Sequence, residues 1–133
     1  MLKRSTLPLL LAALFSCSSP AKKEPVTDVE VARAFVRNIL DDKFDDAEKL
    51  LLKDQTNSEL FNRFKRDYNS KKKDILNKYK EADIIVNEIS YITDTICIFN
   101  YSNSYTRDPK KLKVVRVNGR WLIDFQYTFS GNM

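Results

Sequence analysis

The sequence predicts an α+β fold in which N-terminal helices pack on a curved four-stranded antiparallel sheet. Three observations lead to this prediction. Apolar residues recur at three- and four-residue spacing up to about residue 80, they alternate at two-residue spacing from residue 82 onward, and the two patterns do not mix. Helices followed by consecutive strands are typical of folds whose helices all lie on one side of an antiparallel sheet.

Three helices are expected before residue 82. The first begins near Asp28, a suitable N-cap, and its apolar face is formed by Val29, Ala32, Phe35, Val36, Ile39 and Leu40. A short second helix follows from Phe44. The third is predicted as one long helix over residues 60–79, on which the sheet wraps, with an apolar stripe of Leu60, Phe61, Phe64, Tyr68, Ile75 and Tyr79.

Four strands are expected over residues 82–92, 95–105, 112–117 and 121–127. Asn118 and Gly119 separate the last two. Asn-Gly between two strand patterns indicates a tight hairpin, because a type I′ turn needs two residues that tolerate positive φ. The sheet is therefore predicted as a meander that ends in this hairpin.

The first 16 residues have the layout of a secretory signal. Lys3 and Arg4 precede an apolar run over residues 7–15, which is too short to span a bilayer, and small Ser16 precedes Cys17. The segment Leu14-Phe15-Ser16-Cys17 resembles a lipobox, with a bulky Phe15 as its departure from the usual pattern. This resemblance implies cleavage before Cys17, acylation of Cys17 and attachment to a membrane by lipid.

The proposed mature chain divides into a tether and a folded domain. Residues 17–27 are polar and contain Pro20 and Pro25, as in a flexible tether, and residues 28–133 form the α+β domain. No Asp follows Cys17, so the expected location is the cell envelope, on the outer membrane. Removing the two basic residues of the signal lowers the net charge from +5 to +3, which does not favour nucleic acid as a partner.

From residue 27 onward the chain resembles small envelope lipoproteins with a nuclear-transport-factor-2-like, or cystatin-like, domain of unknown function. The similarity rests on Val31-Ala32-Arg33-Ala34-Phe35, on Phe44-Asp45-Asp46-Ala47 and on Val114-Val115-Arg116-Val117-Asn118-Gly119-Arg120-Trp121-Leu122-Ile123-Asp124. It implies a cone-like fold whose concave sheet face can form a pocket. It implies no activity, because this fold carries enzymes, binding modules and scaffolds.

Several chemistries lack support in this sequence. There is no histidine, so the most common general base and neutral metal ligand are missing. Cys97 lies between Ile96 and Ile98 without a metal motif, which favours a buried apolar role over a reactive thiol. The acidic residues Asp41, Asp42, Asp45 and Asp46 do not have the spacing of a calcium loop. We therefore predict no catalytic residue, metal or cofactor.

Two sets of residues are candidates for binding. The possible pocket on the concave face comprises Phe99, Tyr101, Trp121, Asp124, Phe125 and Tyr127, although such aromatics are more often simply core, and Asp124 is more simply a solvated or ion-paired side chain. A lysine-rich helix face, for which a solvated surface is the simpler interpretation, comprises Lys65, Arg66, Lys71, Lys72 and Lys73.

Three functions follow from these candidates. The first is a non-enzymatic accessory module that binds a small apolar ligand, a peptide or another envelope protein. The second is a small hydrolase or isomerase that uses Asp124 or a tyrosine as acid or base. The third is a docking module for anionic envelope polymer through the lysine face.

Overall fold

The computed structural model describes residues 23–130. Within this range four helices come first, and four strands and a short 3₁₀ helix follow. The helices are α1 (Asp28–Leu40), α2 (Phe44–Glu48), α3 (Gln55–Asn69) and α4 (Lys73–Glu81), and the strands are β1 (Ile84–Thr93), β2 (Ile96–Asn103), β3 (Lys110–Val117) and β4 (Arg120–Asp124). The 3₁₀ helix is Phe125–Phe129. This arrangement confirms the predicted α+β class.

The strands form one open antiparallel sheet in the order β1-β2-β3-β4. Asn118 and Gly119 have φ angles of 51° and 77°, which confirms the predicted hairpin between β3 and β4. The outer side of β4 is paired with the segment after α2, because Leu52 N donates to Ile123 O and Ile123 N donates to Leu50 O, both at 2.8 Å. β1 forms the other margin of the sheet, and its pairing with β2 is irregular near Asn87 and Ile92.

α1 is the helix that lies against all four strands. Its N-cap is Thr27 rather than the expected Asp28, since Thr27 Oγ1 accepts from Glu30 N at 3.2 Å and Glu30 Oε2 accepts from Thr27 N at 3.1 Å. Its apolar face is buried against the inner face of the sheet, to which the strands contribute Cys97, Phe99, Leu112, Val114 and Ile123. The predicted burial of Cys97 is confirmed, at 1% exposure.

Aromatic rings join α1, α2 and α3 to the end of the chain. The Phe61 ring lies 6.0 Å from Phe35, 5.8 Å from Phe44 and 5.6 Å from Phe125, measured between centroids. Phe35 and Phe61 are each 1% exposed. Edge-on and tilted pairs of this kind stabilise a core beyond the burial of their area, so this cluster fixes the position of the 3₁₀ helix against the helical layer.

The prediction of one long helix over residues 60–79 is wrong. The chain breaks after Asn69, where the Ser70 hydroxyl donates to Asp67 O at 2.7 Å and Lys72 adopts an extended conformation before α4. Asn and Ser are weak helix formers whose side chains compete for backbone hydrogen bonds. Because the break changes the helical phase, the α4 residues that pack against the core are Leu76 and Tyr79.

The last strand ends at Asp124 and not at Tyr127 as predicted. Beyond that point side chains bind the backbone: Asn57 Oδ1 accepts from Gln126 N at 2.8 Å, and the Thr128 hydroxyl donates to Lys111 O at 2.9 Å. These bonds fold the chain into the 3₁₀ helix. Phe125, the first residue of this helix, remains on the inner side as expected and is only 2% exposed.

Candidate functional site

An apolar cavity of about 280 Å³ lies between the helical layer and the inner face of the sheet. Its walls come from the C-terminal end of α1, from α3 and α4 with their connection, from β2 and β3, and from the 3₁₀ helix. The lining residues are Ile39, Leu40, Phe64, Tyr68, Lys71, Tyr79, Tyr101, Asn103, Lys110, Phe125, Thr128 and Phe129. Ligand pockets have volumes of roughly 300–1,000 Å³ and mostly apolar walls with a few polar groups. This cavity therefore suits a small ligand.

The 3₁₀ helix supplies one wall of the cavity. The Phe125 ring packs against Phe64 at 5.5 Å and against Phe129 at 5.1 Å between centroids. Phe129 is 51% exposed, so this wall reaches from the core to the protein surface. The bond from Thr128 to the backbone of β3 holds this short segment over the sheet.

Three of the described residues that line the cavity are tyrosines, Tyr68, Tyr79 and Tyr101. The Tyr68 hydroxyl makes a long hydrogen bond of 3.5 Å to Leu40 O, and its ring packs against Tyr79 at 5.3 Å between centroids. The Tyr101 hydroxyl has no hydrogen-bond partner among residues 23–130. Burial raises the pKa of both Tyr68 and Tyr101, so both hydroxyls stay protonated at neutral pH. Tyr101 thus offers an unused donor within the cavity.

Two lysines also line the cavity. Lys110 lies opposite Tyr101 in the β2–β3 register, on the sheet face that packs against the helices, and it is half-buried. Lys71 lies in the connection between α3 and α4 and is exposed. In the described part of the chain neither ammonium group forms an ion pair, and no carboxylate lines the cavity. The cavity therefore combines apolar walls with positive charge.

The six residues predicted to line a pocket do not all come together. Tyr101 and Phe125 line the cavity. Phe99 is fully buried beside Tyr101, with 5.9 Å between ring centroids. Trp121 packs instead under Arg116, whose guanidinium lies 5.9 Å from the ring, and Tyr127 is half-buried outside the cavity lining.

The sequence favours a solvated or ion-paired Asp124. In the structure Asp124 is ion-paired and buried. Its carboxylate lies 3.5 Å from Lys113 Nζ and accepts from Asn57 Nδ2 at 3.2 Å, and the residue is only 9% exposed. Asn57, which is fully buried, also donates to Asp54 Oδ2 at 2.8 Å. Asp124 therefore belongs to a structural polar junction that ties α3 to the end of β4, and it is absent from the cavity lining.

The predicted lysine-rich face is divided. Lys65 forms a 3.4 Å ion pair with Asp45, and Lys71 turns to the cavity. Arg66, Lys72 and Lys73 are exposed around the break between α3 and α4. Cys17, the predicted lipidation site, lies outside the described residues.

A second depression, of about 390 Å³, is open and polar. It is lined by Asp42, Lys43, Phe44, Asp45, Asp46, Lys65 and Asn69. Between residues 23 and 130, no group of three or more acidic, cysteine or histidine side chains is arranged to hold a metal ion. This depression therefore offers less to a specific ligand than the apolar cavity does.

Sequence reasoning missed most of the cavity. It assigned Phe64, Tyr68 and Tyr79 to a helix stripe, and it passed over Lys110. The sequence did contain a signal that Lys110 faces the core. Lys110 shares one face of its strand with the apolar residues Leu112 and Val114, so a charged side chain occupies an inward position.

Comparisons with models of known protein families, with curated proteins and with solved structures find no match. No helix within residues 23–130 is long and apolar enough to cross a membrane.

Proposed function

We propose that this protein is a non-enzymatic binding module of the cell envelope that holds a small, mainly apolar ligand in the cavity between its helices and its sheet. The observation that carries this proposal is the cavity of about 280 Å³, with apolar and aromatic walls and few polar groups. Burial of apolar ligand surface stabilises a complex by roughly 25 cal/mol per Å². Protein interiors are close-packed, so core packing alone does not explain an open apolar cavity of this size.

Binding is favoured over the hydrolase or isomerase alternative by the position of Asp124. The sequence offered Asp124 or a tyrosine as acid or base, and the Asp124 carboxylate is engaged by Asn57 and Lys113 away from the cavity. The raised pKa of Tyr101 keeps its hydroxyl protonated, which suits a hydrogen-bond donor better than a base.

The proposal includes the lipid anchor at Cys17 and a cone-like fold of the nuclear-transport-factor-2-like type. The tether would enter the domain at Thr27, before α1, whereas the cavity is lined by Ile39 and Leu40 at the other end of this helix. Thirteen helical residues span about 20 Å at roughly 1.5 Å per residue. The start of the folded domain at Thr27 and the cavity therefore lie at opposite ends of α1.

Titration with 1-octanol tests the binding function. The full-length C17S variant avoids lipid and detergent, and ¹H–¹⁵N NMR spectra report which residues respond. We expect the amide signals of Leu40, Tyr101 and Phe125 and their neighbours to shift together and to saturate. Shifts that are scattered over the surface, or that do not saturate, would contradict the proposal.

Filling the cavity provides a second test. Leu40→Trp adds a large ring at the wall and is expected to weaken octanol binding at least tenfold, whereas Arg63→Trp adds the same ring at an exposed site of α3 and should bind normally. If L40W retains native spectra and full binding, the ligand does not occupy this cavity. If L40W does not fold, the positions of the NMR signals that octanol shifts in C17S decide whether the ligand occupies this cavity.

The anchor is tested separately by mass spectrometry of the protein from its own cells. Cleavage before Cys17 with a diacylglyceryl group and an amide-linked acyl chain is expected. A C17S chain should leave the membrane fraction. An intact chain that still carries residues 1–16 would contradict the anchor and leave the cavity proposal standing.

A further inference from the structure

The polar groups of the cavity indicate the chemical class of its ligand. Twelve residues of the described range line the cavity, and two of them, Asn103 and Thr128, already use their side chains in hydrogen bonds within the protein. Asn103 Oδ1 accepts from Tyr105 N and Thr106 N, its Nδ2 donates to Thr106 Oγ1, and Thr128 donates to Lys111 O. The polar groups that remain without a partner among residues 23–130 include the Tyr101 hydroxyl and the two ammonium groups of Lys71 and Lys110.

Lys110 is the more informative of the two lysines. It occupies an inward position of β3, followed on the same face by the buried residues Leu112 and Val114. Lys110 is half-buried, so its ammonium is partly dehydrated, and an anion beside it offsets that cost. Among residues 23–130 no carboxylate lines the cavity, so an anionic ligand can supply this compensating charge.

The cavity also limits the size of the apolar part. The volume available to one water molecule in the liquid is about 30 Å³, and a methylene group is of similar size, so about 280 Å³ holds on the order of nine such groups. A single chain of medium length fits this space, whereas the two chains of a phospholipid do not.

Resting on the binding function proposed above, we propose that the cavity takes a medium-chain fatty acid, with its chain among the aromatic walls and its carboxylate held by Lys71, Lys110 and the Tyr101 hydroxyl. Lys110 supplies a fixed, half-buried positive charge. Lys71 closes over the head group from the connection between α3 and α4, and Tyr101, opposite Lys110, donates a hydrogen bond.

The experiment compares sodium octanoate with 1-octanol, which has the same chain length and no charge. Binding to full-length C17S is measured by calorimetry, well below the micelle concentration of octanoate. We expect octanoate to bind about tenfold more tightly than octanol, since two partly screened ion pairs each contribute a fold-change of a few units. The advantage should shrink as salt is raised, while octanol binding stays constant.

Charge-neutral variants assign the effect to these two lysines. The double variant K71Q/K110Q is expected to lose the preference for octanoate, so that octanoate binds no more tightly than octanol. The matched control K72Q/K73Q removes the same charge from exposed neighbours that do not line the cavity, and it should bind both ligands within about twofold of C17S.

The possible failures are distinguishable. Equal affinities for octanol and octanoate, or an equal loss of octanoate binding in K72Q/K73Q, would overturn the fatty-acid proposal and leave an apolar binding site. Absence of binding by either ligand would overturn both proposals. Sedimentation with phosphatidylglycerol vesicles that depends on Lys71 and Lys110, without octanoate binding, would overturn the fatty-acid proposal in favour of a lipid head group at the surface. Contacts from the Met133 methyl group to the cavity in NMR spectra of the ligand-free protein would assign the cavity to the chain's own C terminus.

Discussion

Replacing Asn57 with alanine is expected to destabilise the fold far more than any other single amide substitution on α3. Asn57 has 0% exposure, and its side chain makes three hydrogen bonds. It donates to Asp54 Oδ2 at 2.8 Å and to Asp124 Oδ1 at 3.2 Å, and it accepts from Gln126 N at 2.8 Å. These bonds connect the start of α3 with the end of β4 and the start of the 3₁₀ helix.

The magnitude follows from the partners that alanine would leave behind. Leaving the Gln126 amide unsatisfied costs about 1–3 kcal/mol, and loss of a hydrogen bond to a charged group such as the Asp124 carboxylate costs about 1.5–3 kcal/mol. Asp54 keeps its bond from the Asn57 backbone amide. Since water can reach part of this junction, we take values near the lower ends and expect a loss of about 3 kcal/mol, a large share of the roughly 5–15 kcal/mol typical of a domain.

Urea unfolding of the full-length C17S protein, followed by circular dichroism, measures this loss. With an m value of about 1.5 kcal/mol/M, the midpoint should fall by about 2 M. Gln55→Ala is the matched control, because Gln55 is exposed and its side chain bonds, among residues 23–130, only to Glu59, at 3.0 Å. We expect Q55A to change the free energy of unfolding by less than about 0.5 kcal/mol. Equal effects of N57A and Q55A would refute the structural role of the junction.

Three further predictions concern other parts of the fold. Gly119→Ala should lower the free energy of unfolding in urea by about 1 kcal/mol. Gly119 has a φ of 77° and open space around a Cβ, so this cost comes from the backbone conformation alone. Asn118→Gly should leave the free energy of unfolding unchanged or raise it. Arg37→Ala should cost about 1–3 kcal/mol and speed hydrogen exchange in α4, because Arg37 donates to Ala82 O at 2.8 Å across α1 and α4; unchanged exchange would contradict this. Burial raises the pKa of the Cys97 thiol to about 11, above its ordinary 9.0, so the folded state keeps this proton to higher pH than the unfolded state does. The contribution of Cys97 to the free energy of unfolding should therefore be fully present below pH 9 and be lost as the pH rises from 9 to 11. Cys97→Ala should reduce that loss.

The sequence predicted those parts of the fold that depend on interactions between residues close together in the chain. The turn at Asn118-Gly119 and the apolar face of α1 follow from backbone preference and from periodicity, and both are confirmed. The break after Asn69 was missed because the apolar spacing from Tyr68 to Ile75 also fits a continuous helix. Only the hydrogen bond of Ser70 and the extended Lys72 distinguish the two cases.

The cavity could be predicted only in part, because its walls come from segments that are distant in sequence. Tyr101 and Phe125 were recognised from strand alternation. Lys71 was assigned to an external charged face, and its position at the cavity depends on the helix break that the sequence did not reveal. The burial of Asp124 likewise depends on Asn57, which lies 67 residues away. Interactions of this range require the folded arrangement that brings the start of α3 to the end of β4 and to the 3₁₀ helix.

The pairing of Leu50–Leu52 with β4 restricts how copies of this domain could join through their backbones. It occupies the amide and carbonyl groups of Ile123 on that margin, whereas within the described chain no segment is paired with the outer side of β1. Unpaired margins are where sheets of separate molecules fuse. A second molecule can therefore add strand to strand along β1, whereas the Leu50–Leu52 segment obstructs the same addition at the centre of β4. Strand-to-strand growth from both margins of the sheet at once, which a fibre needs, is disfavoured.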